Sequence, residues 1–141
     1  MRSICTAVLP VIILLANGCG GGPDLEKTGL VRVTDHVYAF IAPGASTEEG
    51  LGANSGFIVG SRGVLVVDAR HTTDLASELL GGLRSVTAAP VLYLVYTHYH
   101  PDHTWGASIF SEAVVLACPE TGRLLQHYSP SYLQHYRRNY P

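Results

Sequence analysis

A wholly apolar run of strand length leads directly into a cluster of histidines. Residues 91–96 read Val-Leu-Tyr-Leu-Val-Tyr, and three of the seven histidines of the chain fall within residues 98–103. A continuous apolar run predicts a strand covered on both faces, of the kind found in parallel sheets. Parallel strands need helical crossovers, so this run favours an α/β fold. It also places the histidines at the carboxyl end of a buried strand, where functional sites usually lie.

The segments around this strand alternate as a mixed α/β fold requires. Two hairpins are predicted before it, from residues 30–34 with 37–42 and from residues 54–60 with 64–68, and Gly63 is expected to take a positive φ in the second turn. A helix is predicted over residues 72–86 from the spacing of its apolar residues, followed after the histidines by a buried strand over 113–117 and a helix from Pro119. The predicted fold class is therefore α/β, in a layered α+β arrangement.

The histidine cluster has the composition and spacing of a metal site. Residues two apart in an extended chain point the same way, so His98 and His100 can place two imidazoles on one ion. Asp102 and His103 lie beyond a bend at Pro101 and can address a second ion about 3.5–4 Å from the first. Imidazole and carboxylate donors without a thiolate suit zinc in an open catalytic site, and suit manganese or iron less well.

These residues carry a family resemblance. The pattern His98-x-His100-x-Asp102-His103 after an apolar strand resembles the metal-binding signature of the metallo-β-lactamase superfamily, and residues 54–68 resemble the hairpin that precedes it there. The resemblance implies the amino-terminal αβ half of an αββα sandwich. It also implies that His98 and His100 bind the first metal, that Asp102 and His103 bind the second, and that Asp68 orients a ligand, although Asp68 at a strand end can equally cap a turn.

The activity implied by the resemblance is hydrolysis. In that family a metal-bound hydroxide attacks a polarised carbonyl or phosphoryl centre, and Asp102 would orient that hydroxide and move a proton. The implied substrate is a small-molecule ester, thioester, lactone or β-lactam, and a sulfate or phosphate ester would suit the same ions.

The chain departs from the family pattern after the cluster. The family's remaining ligands, a further His, a bridging Asp and a last His, lie in the second half of the fold, and this chain ends before them. His127 and His135 follow the motif too closely to replace them. The sequence is therefore expected to be a truncated member that binds zinc weakly and turns over little. The alternative is a catalytically incompetent metal-binding remnant, or a half-domain that pairs with another chain.

The charge of the chain bears on its partners. Nine Lys and Arg residues against eleven Asp and Glu give a formal net charge of −2, and Arg137-Arg138 is the only adjacent basic pair. This balance lacks the basic surface that nucleic acid binding requires. Self-association is a further expectation, because a half-domain would expose apolar sheet surface.

The amino terminus has the layout of a secretory signal. Residues 1–18 combine Arg2 with a short apolar run, and Cys19 then opens a glycine-rich stretch. The order Leu-Ala-Asn-Gly before Cys19 resembles a bacterial lipoprotein signal, in which that cysteine is lipidated. The interpretation is a signal peptide over 1–18, a flexible tether over 19–29 and a partial domain over 30–141. The protein is then exported to the periplasm or cell surface and meets the membrane only through its lipid. The alternative is an ordinary signal peptide, with Cys19 a bystander.

Two further expectations concern side chains of the domain. Cys118 would be the single cysteine of the mature domain, so no intrachain disulfide can form, and its place after an apolar run predicts a buried thiol. Trp105 and the tyrosines of the central strand are expected to pack in the core rather than line a cleft. Tyr99 is the exception, because its position between two ligands turns it away from the first metal.

Overall fold

The computed structural model describes residues 29–42 and 53–139. The predicted signal peptide, the lipidated Cys19, the tether up to residue 28 and most of the loop before the second hairpin lie outside the described residues. In the part that is described, no helix combines the length and the apolar character needed to cross a membrane.

Within the described residues, six strands form one sheet in sequence order. They are β1 (Leu30–Arg32), β2 (Val37–Phe40), β3 (Ser55–Val59), β4 (Val64–Val67), β5 (Val91–Val95) and β6 (Val114–Leu116). The first four strands pair antiparallel, whereas β4, β5 and β6 run parallel. The helices are α1 (Thr73–Val86), α2 (Pro101–Thr104) and α3 (Pro119–Asn139), with a 3₁₀ helix at Trp105–Phe110. The predicted α/β class is confirmed, because helical segments make both parallel crossovers.

The core lies between α1 and one face of the sheet. The helix begins after Thr72, whose hydroxyl accepts a hydrogen bond from the Leu75 amide at 3.2 Å. Its apolar face buries Leu79 and Leu83 completely. The side chains that meet it from the strands are Leu30, Phe40, Phe57, Val64, Val66 and Leu94. This packing fixes the ends of β4 and β5, which carry the candidate site.

The opposite face of the sheet is open in the described residues. Tyr93 of β5 is 39% exposed and Ile58 of β3 is 42% exposed, and the edge strand β6 is exposed on both of its faces. The predictions that β5 is covered on both faces and that residues 113–117 form a buried strand are therefore wrong for this part of the chain. The apolar runs are real, but the described helices cover only one face.

Two local predictions are also corrected. Gly63 does not have a positive φ; it is needed because a Cβ there would lie 2.6 Å from Leu92 Cγ and 2.7 Å from the Pro90 carbonyl oxygen. Cys118 is exposed rather than buried, because it follows β6, the edge strand of the described sheet, whose three residues are all exposed. Hydrogen bonds from the Thr121 hydroxyl and amide lower the pKa of the Cys118 thiol.

Candidate metal centre

The segment that carries the predicted ligands lies at the carboxyl end of β5. The Asp68 amide donates to the Val95 carbonyl at 2.9 Å, and the Tyr96 amide donates to the Leu116 carbonyl at 2.9 Å. The chain bends over residues 97–99, and α2 then begins at Pro101, a residue suited to the first turn of a helix. The segment with the predicted ligands, residues 97–103, is called the ligand-bearing loop below. It therefore emerges between the carboxyl ends of β4 and β6.

Three imidazoles gather on this loop. The ring centroid of His98 lies 4.0 Å from that of His103 and 4.6 Å from that of His100. The extended backbone that would align His98 and His100 as a separate pair is absent, since the chain bends and the His103 amide bonds the His100 carbonyl at 3.1 Å. The His98 ring consequently contacts both of the other histidine rings, and His103 approaches it more closely than His100 does.

Asp68 links the end of β4 to this cluster. Its carboxylate is almost fully buried and accepts hydrogen bonds from the Thr97 amide at 2.8 Å and the Thr97 hydroxyl at 2.7 Å. The same carboxylate lies 2.8 Å from His103 Nδ1. A proton on Nδ1 satisfies this contact and leaves His103 Nε2 with its lone pair free for a metal. Asp68 is thus placed where a residue that orients His103 must lie.

The pKa values of Asp68 and His103 follow from the same contacts. Burial alone would raise the pKa of Asp68, but the hydrogen bonds from His103 and Thr97 outweigh it and hold that pKa below its ordinary value. The hydrogen bond to Asp68 raises the pKa of His103 although burial opposes it. Burial, with the neighbouring His103 and His100, lowers the pKa of His98 and favours the neutral imidazole that metals bind.

A strained turn fastens β4 to α2. Asp68 and Arg70 have positive φ values of 61° and 67°, which are uncommon for residues other than glycine. The Ala69 amide donates to the His103 carbonyl at 2.7 Å, and the Gly106 amide donates to the Arg70 carbonyl at 3.0 Å. These two bonds form a backbone clamp that holds the ligand-bearing loop against the end of β4.

The donor set fits zinc in kind but is not assembled as a coordination shell. Asp102 Oδ2 lies 3.4 Å from His103 Nε2, so a carboxylate and an imidazole share one side of the loop. In the part of the chain that the structure describes, no group of three or more His, Cys, Asp or Glu side chains is arranged to hold a metal ion. Three imidazoles and a carboxylate are nevertheless the ligand types that zinc prefers in catalytic sites.

Two residues beside the predicted ligands, Thr97 and Arg70, were not found from the sequence. Thr97 had a detectable signal, because a hydroxyl residue between an apolar strand and a ligand can bond a buried carboxylate. Arg70 had none: it is only 2% exposed, and its guanidinium lies 4.7 Å above the Phe40 ring. His127, which was not expected to be a metal ligand, lies on α3, and the centroid of its ring is 4.6 Å from that of Tyr128.

The chain is similar in sequence to known metallo-hydrolases. The family profile described as the metallo-beta-lactamase superfamily matches residues 49–121, which is more than half of the chain. A linear primary-alkylsulfatase from a Pseudomonas strain is 35% identical over 48 residues, which are 34% of this chain and 9% of that protein.

Solved structures show the same fold. A metallo-β-lactamase from Hirschia baltica matches with a TM-score of 0.62 and 17% identity, covering 71% of this chain and 47% of that one. A metallo-β-lactamase from Erythrobacter litoralis with β-mercaptoethanol in its active site matches with a TM-score of 0.60 and 18% identity, covering 71% of this chain and 45% of that one. A metallo-β-lactamase from Pseudomonas aeruginosa in a mono-zinc form matches with a TM-score of 0.58 and 15% identity, covering 71% of this chain and 46% of that one. The chain therefore spans about half the length of these structures.

Proposed function

We propose, because the chain belongs to the metallo-β-lactamase superfamily, that it supplies part of the active site of a zinc-dependent hydrolase. The observation that carries this proposal is the buried Asp68 carboxylate, 2.8 Å from His103 Nδ1, beside a cluster of three imidazoles. Zinc, when bound, polarises the substrate and brings the pKa of water to around 7. The proposed substrates are small-molecule esters, thioesters, lactones or β-lactams, and the alkylsulfatase relative adds sulfate esters.

Each residue has a distinct role in this proposal. His98, His100 and His103 would hold zinc through their imidazole nitrogens, and Asp102 would hold it through its carboxylate. Asp102 Oδ2 lies 3.4 Å from His103 Nε2, and this carboxylate would accept a proton from the attacking water. Asp68 keeps the His103 proton on Nδ1 and so presents Nε2 outward.

Zinc titration of the full chain tests this ligand assignment. We expect weak binding, in the micromolar range or weaker, because the described donors do not close around one point. His103→Ala should weaken zinc binding further, whereas His36→Ala, a matched change at an exposed histidine in the first hairpin, should leave it unchanged. Equal affinities in the two variants would contradict the assignment. Nanomolar affinity together with efficient ester hydrolysis would contradict the expectation that this chain alone is weakly active.

A second candidate function is a half-domain that pairs with another chain and is not itself catalytic. The open sheet face favours it, because Ile58, Tyr93 and β6 expose apolar surface. Light scattering coupled to size exclusion should then show dimers or larger species that increase with protein concentration. A monomer at every concentration would rule out pairing between copies of this chain.

We also propose that the protein is exported and anchored through lipid on Cys19. Cys19→Ala should abolish incorporation of labelled palmitate and move the protein from the membrane fraction to the soluble fraction of a bacterial host. Cys118→Ala is the matched control, since that thiol is exposed within the domain, and it should keep the label. Undiminished labelling of the Cys19 variant would contradict lipid on Cys19, and an unlabelled parent chain would leave an ordinary signal peptide as the interpretation.

A further inference from the structure

Three tyrosines form a continuous ring surface beside the candidate ligand His100, and we refer to Tyr99, Tyr128 and Tyr132 together as the aromatic wall. The Tyr99 ring stacks on that of Tyr128 with centroids 5.4 Å apart, and Tyr128 and Tyr132 are 6.3 Å apart. Three ring contacts join the wall to the site. The centroid of the Tyr99 ring lies 4.7 Å from that of His100 and 6.4 Å from that of His98, and the centroid of the Tyr132 ring lies 6.5 Å from that of His100. The wall therefore borders the ligand-bearing loop directly.

The sequence places these rings where they must face the loop. Tyr128 and Tyr132 are four residues apart, so they share one side of α3. That helix starts at the same end of the sheet as the ligand-bearing loop, because β5 and β6 are parallel. Tyr99 lies between two candidate ligands along the chain, and its ring contacts α3 through Tyr128.

The wall differs from the aromatic residues of the core. Phe57 is 1% exposed, whereas Tyr128 is 38% exposed and its two partners are only partly buried. An uncharged aromatic surface left in contact with water next to a reactive cluster has the character of a ligand-binding surface.

We propose that the aromatic wall binds an aromatic group of the substrate and so places the bond to be cleaved beside His100. An aromatic group is favoured over an alkyl chain because the tyrosines offer ring faces and edges for offset and edge-to-face stacking. The substrate class is then an ester or related compound with an aromatic ring next to its reacting centre. The reaction rests on the proposed function, but binding to the wall does not.

Binding to the metal-free full chain tests the wall without requiring turnover. The probes are naphthalene-1-sulfonate and octane-1-sulfonate, which have the same charge, and binding is followed by amide chemical shifts in NMR spectra. We expect naphthalene-1-sulfonate to bind more tightly and to shift resonances around residues 99, 128 and 132. Tyr128→Ala or Tyr132→Ala should weaken its binding about 5- to 10-fold, because each removes one stacking ring.

Two further variants separate stacking from misfolding and from general apolar adhesion. Tyr128→Phe keeps the ring and should keep the affinity. Tyr93→Ala removes an exposed tyrosine on the open sheet face and should have no effect. Shifts confined to residues 58 and 93, equal affinity in Tyr128→Ala, or tighter binding of octane-1-sulfonate would each overturn the proposal. A chain that binds the probe but has equal zinc affinities in His103→Ala and His36→Ala would contradict the proposed function and leave the wall intact.

Discussion

Gly106→Ala is expected to lower the free energy of unfolding by about 3 kcal/mol or more, a large part of the stability of a small domain. A Cβ at this position would lie 2.2 Å from the Ala69 carbonyl oxygen and 2.6 Å from Ala76 Cβ. Neither can move away easily, because Ala69 belongs to the backbone clamp and Ala76 is fully buried in α1. Relieving the clash should also break the bond from the Gly106 amide to the Arg70 carbonyl.

Gly81→Ala is the matched control for this prediction. Gly81 lies inside α1, and a Cβ there would meet nothing within 4 Å. Alanine should therefore raise the free energy of unfolding by about 0.5–1 kcal/mol through the lower entropy of the unfolded chain. Urea denaturation followed by circular dichroism measures both, and the two substitutions should act with opposite signs. Surface substitutions usually change the free energy of unfolding by no more than about 0.5 kcal/mol. A Gly106→Ala variant whose free energy of unfolding differs from that of the parent by no more than this would show that the clamp tolerates a methyl group.

Much of the fold follows from local patterns. The apolar spacing of Leu75, Leu79 and Leu83 predicts a helix over residues 72–86, and the structure has α1 over Thr73–Val86. The continuous run of β5 predicts a parallel strand, which is confirmed. The predictions about burial failed at Tyr93 and Cys118, because hydrophobicity indicates that a side chain favours burial but not which surface is present to bury it.

The local sequence likewise predicts only part of the candidate site. His98, His100 and His103 come together because they are close along the chain, and their chemistry alone suggests a metal. The role of Asp68 came from the family resemblance, since no spacing rule links it to a histidine 35 residues later. The closer pairing of His98 with His103 and the approach of Tyr132 depend on a bend and on the direction of α3, which are tertiary properties that the local sequence does not specify.

Asp68→Asn is expected to weaken zinc binding about 10- to 100-fold while largely preserving the fold. The carboxylate accepts three hydrogen bonds, one from the Thr97 amide and two, from the Thr97 hydroxyl and His103 Nδ1, on Oδ2. An asparagine must keep its oxygen toward the Thr97 amide, so its NH₂ group replaces Oδ2. His103 Nδ1 then has to accept a hydrogen bond rather than donate one, which places the ring proton on Nε2 and blocks the lone pair that a metal would need.

The tautomer gives this prediction a readout that does not depend on metal. Nitrogen chemical shifts of the His103 ring should place the proton on Nδ1 in the parent chain and on Nε2 in the variant, and equilibrium dialysis should give the change in zinc affinity. Asp35→Asn is the matched control, because that exposed carboxylate pairs with Arg32 in the first hairpin. If Asp68→Asn retains both the Nδ1 proton and the parent zinc affinity, the buried carboxylate serves only to close the turn after β4. The candidate ligands would then owe their orientation to the backbone clamp alone.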